Sequence, residues 1–293
     1  MPGSCGIVFE KQIYRPGEVV NGKVHCTFAA DCKVRDIKIT FSGRIKVSWK
    51  VGKTTVYKRE PLFEMESGLL LCETSFTPGY YVYPFTFNLP GNLPSSIEVL
   101  HGSVKYKAHA KIDKEWCIDD TCEKVFTVYS CYYLGSMISS PIESVKEKIP
   151  LSLGAEGPIR LTVNLSNNCY APNQMVPFIA TVRNNSGTTV NEVRFKIMQG
   201  FTFEVNERTT ETIQTETQEL AVIDSVVNPR DERFWNLELR IPADTFIGNM
   251  PNCDCMKIFW KIKVCGCVRR LKFVCVFIYR AKCICLFLTG ICT

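Results

Sequence analysis

The stretch VRDIKITFSGRIKVSWKV, residues 34–51, constrains the fold more tightly than any other. Ile37, Ile39 and Phe41 face one way, and Lys38 and Thr40 the other. Ile45, Val47, Trp49 and Val51 then alternate with Arg44, Lys46, Ser48 and Lys50. A period of two held this long is a half-buried β-strand and not a helix. VGKT turns the chain, and TVYKRE returns as the partner arm. VVNGKVHCTFAA, YPFTFNLP, SVKYKAHAKID and EKVFTVYS continue in the same style. Pro90 and Pro94 bracket a loop, since proline cannot donate to a ladder. No stretch of the length a helix needs shows helical periodicity, so the residues predict an all-β chain built as a sandwich.

A second constraint is an internal echo. IYRPGEVVNGKV begins at Ile13, and CYAPNQMVPFIA begins at Cys169. An offset of 156 takes Tyr14 to Tyr170, Pro16 to Pro172 and Val20 to Val176. The same offset carries Ile37, Ile39 and Phe41 onto Val193, Phe195 and Ile197 with the alternation in phase. A repeat of this length is a duplicated domain, not a solenoid unit. Asn173 stands where the first copy has Gly17, and asparagine tolerates the same left-handed backbone. Between the copies, prolines, serines and alternating charge read as linker. The expected division is a β-sandwich over 1–140, a linker over 141–157, a second sandwich over 158–275 and a tail over 276–293. RNNSGTTV reads as a turn between strands of the second sandwich, and EVNERTTETIQTETQEL as a solvated hairpin or edge segment.

Charge and cysteine concentrate at the C-terminal end. The net charge is +6, yet eight basic residues (Lys257, Lys261, Lys263, Arg269, Arg270, Lys272, Arg280 and Lys282) lie beyond Asp254, the last acidic one. Removing them leaves −2 for residues 1–254, so the body carries no nucleic-acid signature. MPGSCGIVFE has neither a basic start nor a long apolar run, so no secretory signal is expected, and the cysteines are expected to be reduced thiols. On that reading Asn164-Leu-Ser and Asn184-Asn-Ser match the glycosylation pattern by chance. The apolar runs FVCVFIY and CICLFLTGIC are short and are split by Arg280 and Lys282, which favours attachment at a membrane interface over a spanning helix.

Several of these segments together resemble a known family. YRPGEVVNGKV, VRDIKITFSG and YPFTFNLPGNLPSSIEVLHGSVKYKAHAKIDKEW are similar to the N-terminal arrestin domain. GPIRLTVNLSNNCYAPNQMVPFIATVRNNSGTTVNEVRFKIMQGFTF is similar to the C-terminal arrestin domain. The pattern is nearest to the arrestin-domain-containing proteins, the alpha-arrestins, and its specific part is the F-x-L-P-x-x-L-P-S-S and H-G-x-V-x-Y block. The resemblance implies two tandem Ig-like antiparallel β-sandwiches and a non-enzymatic cytoplasmic adaptor peripheral to the plasma membrane and endosomes. Its implied partners are cytoplasmic segments of receptors or transporters, HECT-class ubiquitin ligases and other arrestin-like proteins, with no nucleic acid and no cofactor. The implied outcome is ubiquitination, endocytosis and sorting of cargo. Family members usually follow their last strand with P-I-x-I-G and a tail bearing Pro-Pro-x-Tyr, and these residues contain no Pro-Pro-x-Tyr.

Candidate sites follow from chemistry. Arg44, Lys46 and Lys50 project from one strand, with Lys53, Lys58 and Arg59 on the returning arm, as a basic patch for an acidic or phosphorylated segment. The bland reading of the same residues is a solvated sheet face. Cys253, Cys255, Cys265 and Cys267 form two C-x-C pairs that a structural zinc ion could link, which gives a second reading of the chain as a zinc-bearing β-sandwich scaffold. Cys283 and Cys285 sit in apolar, basic surroundings suited to S-acylation. His25, His101 and His109 belong to no catalytic motif, so no enzyme is expected.

Overall fold

The structure, a computed structural model, describes residues 4–130, 141–148, 157–167, 170, 173–207, 209–221, 225–243, 248, 250–268 and 271–279. Among them are strands and no helices, with the sheets arranged as sandwiches. Two compact units result. The first contains Met1–Ser130, Phe203–Glu211 and Gly248–Lys257; the second contains Cys131–Thr202, Thr212–Ile247 and Ile258–Thr293.

In the first unit, β1 (Ser4–Phe9), β3 (Val19–Phe28) and β7 (Gly79–Asn88) form one antiparallel sheet in the order β1-β3-β7. The other sheet runs β2 (Ile13–Tyr14), β10 (Asp120–Val128), β9 (Gly102–Lys114), β4 (Cys32–Val51), β5 (Thr54–Leu70). Two short strands, β6 (Thr74–Phe76) and β8 (Ile97–Val99), pair with β4 and β9. The alternation in β4 does what its period requires. Ile37, Ile39, Phe41, Ile45, Val47 and Trp49 are buried, and only Val51, at the hairpin end, is exposed. Phe41 stacks on Phe87 of the opposite sheet, with ring centroids 4.3 Å apart. Gly43 leaves room for the Tyr106 ring, since a Cβ there would lie 2.7 Å from it.

The duplication is visible strand by strand. In the second unit, β11 (Ile142–Lys148), β12 (Ile159–Leu165), β13 (Met175–Asn184) and β16 (Asp231–Arg240) form one sheet in that order. The other sheet runs β15 (Thr209–Ala221), β14 (Val190–Asn206), β17 (Met256–Val268), β18 (Leu271–Tyr279). The order β12-β13-β16 repeats β1-β3-β7, and β15-β14-β17-β18 repeats β5-β4-β9-β10. The offset of 156 lays β3 on β13, residue for residue. Val193, Phe195 and Ile197 are buried like their counterparts Ile37, Ile39 and Phe41. The turn chemistry is also repeated: Gly17 has φ 78° and Asn173 has φ 64°. Gly17 donates to Pro90 O, and Asn173 donates to Ile241 O. Leu89 donates to Glu18 O, and Ile241 donates to Gln174 O.

Two expected boundaries move. Residues 142–148, read as linker, form β11 and pair with β12, with Glu143, Val145 and Glu147 exposed on alternate positions. Their alternating charges mark a solvated strand face at a sheet edge, which composition alone does not separate from a linker. Residues 276–279, read as tail, continue β18 opposite Trp260–Lys263. The polar segment around residues 209–221 is the edge strand β15, as its composition predicts. The turn between β13 and β14 is more ordered than its polarity suggests. Asn184, Ser186 and Thr188 are buried, and Asn184 Nδ2 donates to the carbonyls of Thr188, Val227 and Asn228 at 2.7, 3.2 and 3.0 Å. That burial removes Asn184 as a glycan acceptor.

The LPSS and V-x-Y motifs form one fastening. Tyr106 is fully buried on β9, and its hydroxyl donates to Pro94 O at 2.6 Å. Burial pushes the Tyr106 phenol well above the usual tyrosine range, so the hydroxyl keeps its proton as a donor. Ser95 Oγ donates to Ser130 O at 3.0 Å and accepts from Ser130 N at 2.8 Å. Ser96 Oγ accepts from Val128 N at 2.9 Å. The loop after β7 is thereby tied to β9 and to the end of β10.

The cysteines depart from the expectation of reduced thiols in one place. Cys5 on β1 and Cys122 on β10 form a disulfide across the two sheets of the first unit, with Cα atoms 5.6 Å apart. They are 117 residues apart in sequence, so only the sheet order brings them together. Cys26, opposite Cys5 across β1 and β3, is a buried thiol that burial pushes up to about 11. Cys72 and Cys117 are exposed.

Two outcomes test this packing. Tyr106→Phe leaves the buried Pro94 carbonyl without its donor and costs about 1–3 kcal/mol of stability, read from urea denaturation. In timed alkylation at pH 8 followed by peptide mass spectrometry, Cys72 and Cys117 react at rates near those of the unfolded chain. Cys26, protonated at that pH and enclosed, reacts only after denaturant is added.

Candidate functional site

Because the odd-numbered residues of β4 from Ile37 to Trp49 fill the core, the even-numbered ones between them must face out. Arg44, Lys46 and Lys50 are exposed on that outer face, as the alternation predicts. The β4–β5 register places Arg59 directly opposite Lys46, Tyr57 opposite Ser48, and Thr55 opposite Lys50. Lys53 sits in the two-residue turn between Val51 and Thr54, where Gly52 supplies the positive φ. On the other side, β9 brings Lys105 opposite Arg44. One end of this sheet face thus gathers cations from two hairpin arms and a third strand.

Their partners divide them into two sets. Arg44 donates to Glu64 at 2.7 Å, and Lys105 is paired with Glu98 at 2.7 Å. Lys46, Lys50, Lys53 and Arg59 have no ion pair among the described residues. The Arg59 guanidinium lies over the Tyr57 ring, 5.6 Å from its centroid, so it is oriented by an aromatic face and keeps its charge available. Like charges directly across a ladder destabilise it. Lys46 opposite Arg59 is therefore a placement that strand pairing alone does not favour.

Lys58 is not part of this surface. It alternates with Arg59 onto the opposite side of β5, where Val47 is its cross-strand neighbour, and it pairs with Glu60 at 2.7 Å. That carboxylate raises its pKa. The sequence placed Lys58 with its neighbours because they adjoin in sequence, but adjacent strand residues face opposite ways. Lys105 and Tyr57 also belong to this surface, and SVKYKAHAKID puts Lys105 on an outward phase. What the sequence could not supply was which strand pairs beside β4.

Cys253 and Cys255 are buried in the first unit. Their thiols share a hydrogen bond, and Cys255 also meets Glu60, so its proton is held while the Cys253 thiol is lowered. Cys265 and Cys267 lie on β17 in the second unit, opposite Val274 and Lys272, and their side chains lie outside the described residues. No group of three His, Cys, Asp or Glu among the described residues has the geometry to hold a metal ion. Cys283 and Cys285 lie outside the described residues. His25 meets the Tyr80 hydroxyl, His101 lies beside Trp49 with ring centroids 6.3 Å apart, and His109 stands opposite Glu123 on the ladder. No helix of the described residues is long and apolar enough to cross a membrane.

Known proteins align along most of the chain. Residues 5–134 match the family model described as Arrestin (or S-antigen), N-terminal domain, and residues 155–282 match the corresponding C-terminal domain. Arrestin domain-containing protein 1 of Rattus norvegicus is 30% identical over 192 residues, covering 64% of this chain and 44% of that protein. The Homo sapiens protein of the same name is 26% identical over 258 residues, covering 86% of this chain and 58% of the relative. Arrestin domain-containing protein 5 of Homo sapiens is 22% identical over 209 residues, covering 67% and 60%. The chain spans about half the length of the curated relatives it matches.

Proposed function

Since the chain belongs to the arrestin family and is alpha-arrestin-like, we propose that it is a non-enzymatic adaptor that binds cytoplasmic segments of membrane receptors or transporters. Proteins of this family are known as non-enzymatic adaptors. The bound cargo is linked to HECT-class ubiquitination, endocytosis and sorting at the plasma membrane and endosomes. The observation that carries this reading is the pair Lys46 and Arg59, set opposite each other without a carboxylate partner and flanked by Lys50 and Lys53. A phosphorylated or acidic segment laid across this end of the sheet supplies the missing negative charge. A phosphate adds about −1.5 to −2 charge and three acceptor oxygens, and Arg59 is the residue suited to a bidentate contact. Tyr57 holds that guanidinium in place, which lowers the ordering cost of binding. Arg44 and Lys105, already neutralised by Glu64 and Glu98, frame the patch and do not drive it.

Attraction of this kind comes from exposed charges, so it is salt-dependent. Lys46→Glu with Arg59→Glu weakens binding of a doubly phosphorylated peptide about tenfold or more at low salt, measured by fluorescence anisotropy. The unphosphorylated peptide loses far less. Lys58→Glu, on the opposite side of β5, leaves the phosphopeptide affinity unchanged. Equal losses for both peptides, or no loss at either salt concentration, would remove the patch from the proposal.

A further inference from the structure

The second unit carries a surface of different character. The register of β11, β12, β13 and β16 lays its outward residues in rows. One row runs Glu143, Asn164, Ile179, Asn236. The next runs Val145, Thr162, Thr181, Phe234, and after it comes Glu147, Arg160, Arg183, Glu232. On the other side of the first row, Pro177 stands opposite Glu238. Apart from Glu143 at its end, the first two rows and Pro177 make a neutral, partly apolar centre. Phe234 is 70% exposed and Val145 and Ile179 are 45% exposed each, so nothing among the described residues covers it. A hollow of about 640 Å³ opens on this centre, lined by Pro141, Asn164, Pro177, Ile179 and Glu238 among others. That volume lies within the range of ligand-binding clefts.

The charge around the centre is not symmetrical. Glu147 is paired with Arg160 at 2.6 Å on one border. Glu143 on β11 and Glu238 on β16 have no ion pair among the described residues. Arg240, the next outward residue on β16, turns to Asn173 at 3.1 Å and not to Glu238. Two free carboxylates therefore stand at opposite edges of an apolar floor. Strand spacing of about 4.8 Å and about 6.8 Å between successive residues on one face place them roughly 16 Å apart, an interval that five or so extended residues span.

From this juxtaposition we infer that the outward face of β11-β12-β13-β16 docks a short extended peptide with an apolar centre and a basic residue near each end. The apolar side chains lie against Ile179, Pro177 and Phe234, and Asn164 and Asn236 meet the peptide backbone as donors or acceptors. Glu143 and Glu238 hold the two cations and fix the length between them. This surface selects the opposite charge from the Lys46 and Arg59 patch, so it does not depend on that reading. One chain then has two recognition faces of opposite sign, one in each compact unit.

The test uses the full chain and two fluorescein-labelled hexapeptides, each with Pro-Val-Val-Pro at its centre. One has lysine at both ends, the other glutamate. Anisotropy is expected to show the lysine peptide bound at least tenfold more tightly than the glutamate peptide. Glu143→Lys with Glu238→Lys is expected to reverse that preference, and Phe234→Ser to weaken the lysine peptide severalfold with the melting temperature unchanged. Equal affinity for the two peptides on the native chain overturns the inference, as does no binding of either. Light scattering that shows a stable dimer which Phe234→Ser dissociates also overturns it, because a second copy then occupies the face.

Discussion

Tyr106 is enclosed on every side, and its hydroxyl has one acceptor, the carbonyl of Pro94. Much of the first sandwich depends on that bond. The ring fits because residue 43 is glycine, and it packs beside Phe63 and Phe126. The bond holds the loop after β7 against β9, and Ser95 and Ser96 in the same loop hold the last residues of β10. A buried hydroxyl or carbonyl without a partner costs more than a typical bond contributes, so the two groups confine each other. The LPSS and V-x-Y signatures are thus two halves of one contact.

With the inner face fixed, the outer face follows. A slip of one residue in β4 would turn Ile37, Ile39 and Phe41 outward, so the register is set by burial and not by the charges. The charges are free to vary under that constraint, and most settle into pairs: Arg44 with Glu64, Lys105 with Glu98, Lys107 with Glu123. Exposed pairs of this kind add little stability and mainly quiet the surface. Against that background, the unpaired group of Lys46, Arg59, Lys50 and Lys53 stands out as charge left available. The same logic marks Glu143 and Glu238 in the second unit, where Glu147 and Arg160 nearby are paired with each other.

The fold was legible because its signals are local or periodic. Alternation in β4 named the buried residues, and a single offset carried Tyr14 to Tyr170 and Gly17 to Asn173 with the same buried ring and the same left-handed turn. What escaped was information held only in strand order. Cys5 meets Cys122 because β1 and β10 lie in facing sheets. Lys105 joins the basic face because β9 is the neighbour of β4. Residues 142–148 passed for linker because an edge strand facing water has linker composition. Lys58 adjoins Arg59 in sequence, but the period of two that turns Lys46 outward sets the two on opposite sides of β5.

Duplication explains how one architecture carries two chemistries. Both sandwiches keep the buried positions and the turn, while the unpaired cations lie on the β4–β5 end of one sheet in the first and the two free carboxylates on the β11-β12-β13-β16 sheet of the second. An adaptor benefits from that arrangement, because two modest contacts on one chain exceed either alone. The most direct measurement is proximity labelling in living cells with the full chain, native beside the Lys46→Glu, Arg59→Glu variant, followed by mass spectrometry of labelled proteins. The account predicts that membrane receptors or transporters are labelled by the native chain and lost from the variant, while its other neighbours persist. An identical set of labelled membrane proteins with both chains would contradict it.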